Sequence, residues 1–211
     1  MLTWAAVVAV LPTSRARADA DPRPENYQLL AATRDSNLER VAELLAAGAA
    51  VDSRNRIGDT LLITACKRGD SRAFELALKY GADVNQVNTE GVTPLLAAAF
   101  IGQAAMVREL LRRHAVPAHR DRVGRGALDY AAANGFPAVV ELLIAGGVPV
   151  DQRSEQGVTA LMWAAGAGRA DVVETLLRNG ANPRLHDDRQ KDAATIARES
   201  GHADIAARLA H

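Results

Sequence analysis

Two kinds of apolar stretch alternate along this chain, and each returns at a step of 33 residues. The first opens on a glycine and a hydroxyl residue and closes on small side chains. It reads Gly58-Asp59-Thr60-Leu61-Leu62-Ile63-Thr64-Ala65-Cys66, then Gly91-Val92-Thr93-Pro94-Leu95-Leu96-Ala97-Ala98-Ala99. It weakens at Gly124-Arg125-Gly126-Ala127-Leu128-Asp129-Tyr130-Ala131-Ala132. It is clear again at Gly157-Val158-Thr159-Ala160-Leu161-Met162-Trp163-Ala164-Ala165. The second stretch ends on a turn: Leu44-Leu45 before Gly48-Ala49, Leu110-Leu111 before His114-Ala115, and Leu176-Leu177 before Gly180-Ala181. Units this short cannot bury an apolar face alone, so a fixed period of this size predicts stacked units sharing one interior. Projected both ways, the period predicts six units that start near Glu25, Gly58, Gly91, Gly124, Gly157 and Gln190. Stacks of this kind usually recognise other molecules and carry out no reaction.

Each unit reads as two helices. Ala97-Ala98-Ala99 and Ala131-Ala132-Ala133 give a short first helix with thin side chains, so that neighbouring helices can approach closely, and Ala has the best helix propensity. Thr93 suits its N-cap, and Pro94 falls where a missing N–H costs nothing. Gly69, Gly102, Gly135 and Gly168 stand where that helix should end in a left-handed residue. Asn37 and Asp70 suit the N-cap of the second helix. Its buried stripe is Val107, Leu110 and Leu111 in one unit and Val172, Val173, Leu176 and Leu177 in another. A short hairpin-like loop then leads into the next unit.

These residues resemble the ankyrin repeat family over nearly everything after residue 24. Gly81-Ala82-Asp83-Val84-Asn85 and Gly180-Ala181-Asn182 match its Gly-Ala-Asp-x-Asn turn, and Thr93-Pro94-Leu95 matches its Thr-Pro-Leu helix start in full. The family's following His is replaced by Ile63, Leu96, Asp129, Met162 and Thr195, which sets aside its usual Thr–His hydrogen bond. The resemblance implies an all-α fold, an ankyrin repeat solenoid of about six 33-residue helix-turn-helix units over 25–211. The units lie near 25–57, 58–90, 91–123, 124–156, 157–189 and 190–211. Both terminal units carry the polar replacements of end caps. Gln190 and Asp192 stand for Gly and Thr in the last, and Arg34-Asp35-Ser36-Asn37 is polar in the first.

The first residues follow a different rule. Met1 to Leu11 form an apolar run about as long as a signal-peptide core and too short to span a bilayer. Ala16-Arg17-Ala18 and Ala18-Asp19-Ala20 both offer Ala-x-Ala cleavage sites. Residues 1–20 therefore read as a signal peptide or an apolar N-terminal tail, and 21–24 (Asp-Pro-Arg-Pro) as a stiff linker. No Lys or Arg precedes the run, which a start codon further upstream would explain. The expected location is periplasmic or secreted, with a cytoplasmic protein as the alternative.

Charge and cysteine content narrow the partners. Lys plus Arg and Asp plus Glu number 25 each, so no overall field draws the chain onto nucleic acid, and none is expected. Arg112-Arg113-His114 falls at a helix C-terminus, where positive charge suits the dipole. The single cysteine, Cys66, permits no intrachain disulfide and no Cys-based zinc site. It takes a small-residue position equivalent to Ala99 and Ala165 and reads as a buried apolar side chain.

Reactive constellations are missing. His114, His119, His186, His202 and His211 form no His-x-x-x-His pair. His114 stands where other units place Gly48, Gly81, Gly147 and Gly180, so it reads as a strained turn residue. Gly166-Ala167-Gly168 lacks the third glycine and the preceding strand of a nucleotide loop. No Gly-x-Ser-x-Gly elbow occurs. Neither an enzyme nor a cofactor or metal site is expected. Trp163 and Tyr130 share one position in successive units, which favours packing between units over a ligand-stacking platform.

The resemblance implies a concave partner surface made of loop tips and first helices. Its candidate binding residues are Arg56, Lys67, Arg68, Glu90, Phe100, Ile101, Arg122, Arg125, Asn134 and Glu155. Phe100-Ile101 stands out, because the equivalent residues are Lys67-Arg68, Ala133-Asn134 and Gly166-Ala167. An apolar pair rimmed by Lys67, Arg68, Arg122 and Arg125 has the makeup of a hot spot for a protein with an apolar anchor and acidic neighbours. Alternatively, Phe100 folds back onto Tyr130 or Trp163. The expected function is a non-enzymatic protein-protein interaction module, monomeric and without an integral membrane span. The alternatives are a secreted effector that engages host proteins and a small-molecule-binding sensor.

Overall fold

The computed structural model describes residues 24–210. The segment read as signal peptide or tail, 1–20, and linker residues 21–23 lie outside the described residues. Six helix pairs follow one another. They are α1 (Pro24–Arg34) and α2 (Leu38–Ala46), α3 (Leu61–Arg68) and α4 (Ser71–Lys79), and α5 (Pro94–Phe100) and α6 (Ala104–Arg112). Then come α7 (Ala127–Asn134) and α8 (Pro137–Ala145), α9 (Ala160–Gly166) and α10 (Ala170–Arg178), and α11 (Ala193–Glu199) and α12 (Ala203–Leu209). From α3 onward both helices of a pair start on the 33-residue step. No strand occurs among the described residues. The loops are open hairpins with isolated antiparallel bridges at Arg120–Gly126 and Arg153–Thr159.

The helix ends follow from residue chemistry. Thr60, Thr93 and Thr159 accept a hydrogen bond from the amide three residues on, at 3.3, 3.2 and 3.4 Å, and Asp192 does so from Thr195 at 2.8 Å. Unit four has no such side chain at Gly126. There the bond reverses, and the Gly126 amide donates to Asp129 Oδ2 at 2.9 Å. Asn37 and Asp70 cap the second helices as expected. The turn inside each pair is left-handed at Gly102 (φ 78°) and even at Ser36 (φ 55°). His114 takes the same conformation (φ 64°) at the turn that other units close with glycine.

One elongated core runs from Leu29 to Leu209. The first-helix alanines Ala65, Ala98, Ala131, Ala164 and Ala197 are fully buried or nearly so. Their thin side chains let each first helix pack on the next, from α1–α3 through α9–α11. Second helices pack closely at only three of the five steps: α2–α4, α6–α8 and α8–α10. A stack held tighter along its first helices curves toward them, which puts that row and the loop tips on the inner face. Cys66 is fully buried beside these alanines, and burial pushes its thiol pKa up. No helix of the described residues is long and apolar enough to cross a membrane.

Candidate partner-binding face

The loop tips are built before they can present anything. Asn55, Asn88, Asp121 and Asp187 occupy one column of the repeat, and each side chain accepts from the amides two and four residues on at about 2.8–3.0 Å. Such Asx turns fix the tip from within. Neighbouring tips are stitched by the main chain: Thr89 N–H to the Ile57 carbonyl, Arg122 N–H to Glu90, and Asp188 N–H to Gln156, each at 3.0 Å. The corresponding bond from Glu155 to Val123 is not made among the described residues. Ser154 fills the Asx column there and its hydroxyl donates instead to the Val158 carbonyl at 2.9 Å. Glu155–Gly157 winds into a 3-10 turn with Gln156 at φ 66°.

A ladder of arginines runs beneath the tips. Arg54 donates to the Val87 carbonyl at 3.1 Å, Arg120 to Arg153 at 2.5 Å, and Arg153 to His186 at 2.5 Å, each one unit ahead. Donating to carbonyls of the next unit in this way ties each guanidinium to the stack and spends part of its five-donor edge there.

The columns of Asp59 and Lys67, eight residues apart, meet where loop and first helix join. In unit two they hold the ion pair Asp59–Lys67 at 2.8 Å, and the buried carboxylate also accepts from Asn88 at 2.8 Å. In unit six the signs are exchanged, with Lys191 on Glu199 at 2.5 Å. Between them, units three to five place Val92/Phe100, Arg125/Ala133 and Val158/Gly166 in the same columns. These columns are therefore ion-paired in units two and six, and between them apolar except for Arg125.

Four side chains gather in units three to five. Phe100 is 52% exposed, yet its ring meets Tyr130 edge to face at a centroid distance of 5.4 Å. The ring thus folds back onto Tyr130, as one expected alternative had it, and still leaves about half of its surface exposed. The guanidinium of Arg125 lies 4.2 Å from the Trp163 ring centroid and 5.8 Å from that of Tyr130. Tyr130 donates its phenol to Asp121, and burial, reinforced by that bond, pushes its pKa up to about 12. Trp163 is half-buried, and its indole N–H has no hydrogen-bond partner among the described residues. Below them Asp129 is 5% exposed, and burial raises its carboxyl pKa to about 6.

The candidate residues divide into three groups. Phe100, Arg125 and Asn134 come together, the last donating to the Phe100 carbonyl at 2.8 Å. Arg56, Glu90, Arg122 and Glu155 lie exposed along the tips, with Glu155 arching over Gly124. Lys67 is neutralised by Asp59, and Arg68 turns back to the Thr33 and Arg34 carbonyls at 2.9 and 3.1 Å, closing the end of α1. Ile101 lies over Gly69 of the preceding unit. The basic rim expected around Phe100 thus loses Lys67 and Arg68, leaving Arg125 beside Tyr130 and Arg122 exposed on the tip. Tyr130 and Trp163 join the site because they hold Phe100 and Arg125 in place. The only sequence sign of this was that both are aromatic in a column otherwise filled by Ala31, Thr64, Ala97 and Ile196.

Comparison with known proteins agrees with this architecture. The family model described as ankyrin repeats (3 copies) matches residues 29–121 and again 128–211. The short gap between the matches falls on the weakened start of unit four, where Gly126 replaces the capping threonine. No curated protein matches the chain. The chain belongs to the ankyrin repeat family.

Proposed function

We propose that this protein is a non-enzymatic interaction module that holds a partner protein on the inner face of units three to five. Ankyrin repeats are generally protein-protein interaction modules. The observation that carries the assignment to this face is its change of character: ion pairs occupy it in units two and six, and the units between them expose an aromatic ring near an arginine that sits over Trp163. Exposed aromatic and arginine side chains are the residue types that dominate binding energy at interfaces. The chain acts as a monomer, and its balanced charge argues against nucleic acid as the ligand. Export by the apolar segment at 1–20 belongs to the same proposal and places the partner outside the cytoplasm.

Affinity capture with the full chain tests the assignment, run in parallel with Phe100→Ala and with Arg108→Ala on the opposite, second-helix side. The expected result is a set of proteins retained by wild type and Arg108→Ala and lost by Phe100→Ala, whose truncation costs roughly 1–3 kcal/mol of binding. Capture unaffected by Phe100→Ala would contradict the placement.

A further inference from the structure

The charges on the inner face differ in what they already hold. Lys67 and Lys191 sit on carboxylates at 2.8 and 2.5 Å, and Arg189 on Asp187 at 2.7 Å. Arg68, Arg120 and Arg153 bind main-chain carbonyls. Arg125 alone among these sits over an aromatic ring, its guanidinium carbon 4.2 Å from the Trp163 centroid; it also reaches the Tyr130 phenol, and no carboxylate stands within ion-pairing distance of it among the described residues. Asp121 is turned to Tyr130, and the nearest arginine to buried Asp129 is Arg120, at 3.6 Å. Stacking occupies the π face of a guanidinium and leaves its N–H edge in the plane, the geometry that grips a carboxylate with two parallel bonds.

The surroundings amplify that edge. In the columns that hold Lys67 and Arg68 in unit two, Phe100, Ala133, Gly166 and Ala167 stand in units three to five and carry no charge, so no neighbouring cation or anion of those columns competes with Arg125 for a carboxylate. Trp163 holds the guanidinium in place beforehand, which lowers the ordering penalty of binding. Exposed Arg122 adds a second positive charge on the same loop, and the half-exposed Phe100 ring, which shares Tyr130 as a neighbour with Arg125, offers an apolar seat.

We propose that Arg125 is the carboxylate-recognising centre of this face, and that the partner presents a peptide segment with an Asp or Glu beside a large apolar residue. The proposal rests on the inner-face function above and specifies the chemistry of its ligand. A basic segment would meet Arg122 and Arg125 with like charge. A purely apolar one would leave the Arg125 charge without a carboxylate.

A displayed library of short random peptides, selected on the full chain, supplies the probe. The expected peptides carry an acidic residue next to Phe, Leu, Ile or Trp, and they lose affinity roughly 30-fold or more on Arg125→Gln. They lose about tenfold or more on Phe100→Ala. Far-UV circular dichroism and melting temperature verify that each variant is folded. Arg125→Glu paired with a peptide whose acid is changed to Lys provides a second, fold-independent check, since affinity returns only if the two groups meet. Peptides that depend on Phe100 but show no acidic preference, or tolerate Arg125→Gln, overturn this inference and leave the inner-face function standing. Peptides indifferent to both residues, preferential binding of a heparin or DNA probe that depends on Arg125, or no enrichment over an unrelated control protein, count against both.

Discussion

Asp129 stands where the other first helices carry Leu30, Ile63, Leu96, Met162 or Thr195, and its replacement by Asn tests how the fold tolerates that carboxylate. The group is 5% exposed and accepts one bond from Gly126 N–H at 2.9 Å. Its closest cation, Arg120, is 3.6 Å away and already donates to the Gly124 and Arg153 carbonyls. Desolvation therefore outweighs compensation, and the carboxyl pKa rises from 3.8 to about 6. A rise of that size corresponds to ~3 kcal/mol. The folded state binds this proton more tightly than the unfolded chain. Through this group, stability is greatest below the unfolded pKa and is lost as pH rises through about 6. Asn keeps an acceptor for Gly126 and never ionises. Asp129→Asn should thus melt higher than wild type at about pH 8, by up to roughly 6–12 °C for a chain of this size. The gap should close toward about pH 4.5. Half-buried Asp52, whose pKa is also raised, is present in both proteins and cancels in the difference. Melting curves by circular dichroism over a pH series measure it. A variant less stable than wild type at about pH 8, or a gap independent of pH, would refute the reasoning and make Arg120–Asp129 a net stabilising pair.

Other expectations follow from the same structure. Gly102→Ala should destabilise well beyond Gly81→Ala. Both have φ near +78°, but a Cβ at Gly102 would lie 2.5 Å from the Phe136 ring, whereas nothing stands within 4 Å at Gly81. The Gly81 change should cost about 1–2 kcal/mol, and urea unfolding of both variants compares them. Lys67→Met should cost about 1–3 kcal/mol in the same assay, because Asp59 stays buried with its charge opposed only by Asn88. Residues 1–24 fused to a reporter active only after export should yield active reporter, and retention of the fusion in the cytoplasm would reject the proposed location.

The fold was legible because its determinants are local and repeated. The Thr and Pro of Thr93-Pro94, the alanines of the first helices and the glycine after each act within a few residues of themselves. Five appearances of one step then turned weak propensities into a strong one. The site was less legible, because it is made between units. Lys67 and Arg68 look like free charges in sequence, and only their neighbours Asp59 and Thr33, eight and 35 residues away, reveal them as part of the framework. Arg125 looks like one more rim charge until Trp163 is found beneath it. Reading the chain as aligned columns exposes part of this: the Asn55, Asn88, Asp121, Asp187 column announces Asx turns, and Ser154 marks where the tip changes. The orientation of a ring over a guanidinium has no such signature.

Hydrogen–deuterium exchange on the full chain, with and without a peptide selected as above, tests the central claim most directly. The inner face of units three to five should gain protection, over the tips at 121–126 and along α5, α7 and α9, while α6, α8 and α10 exchange as before. Protection confined to those second helices, or to units two and six with their ion pairs, would contradict it.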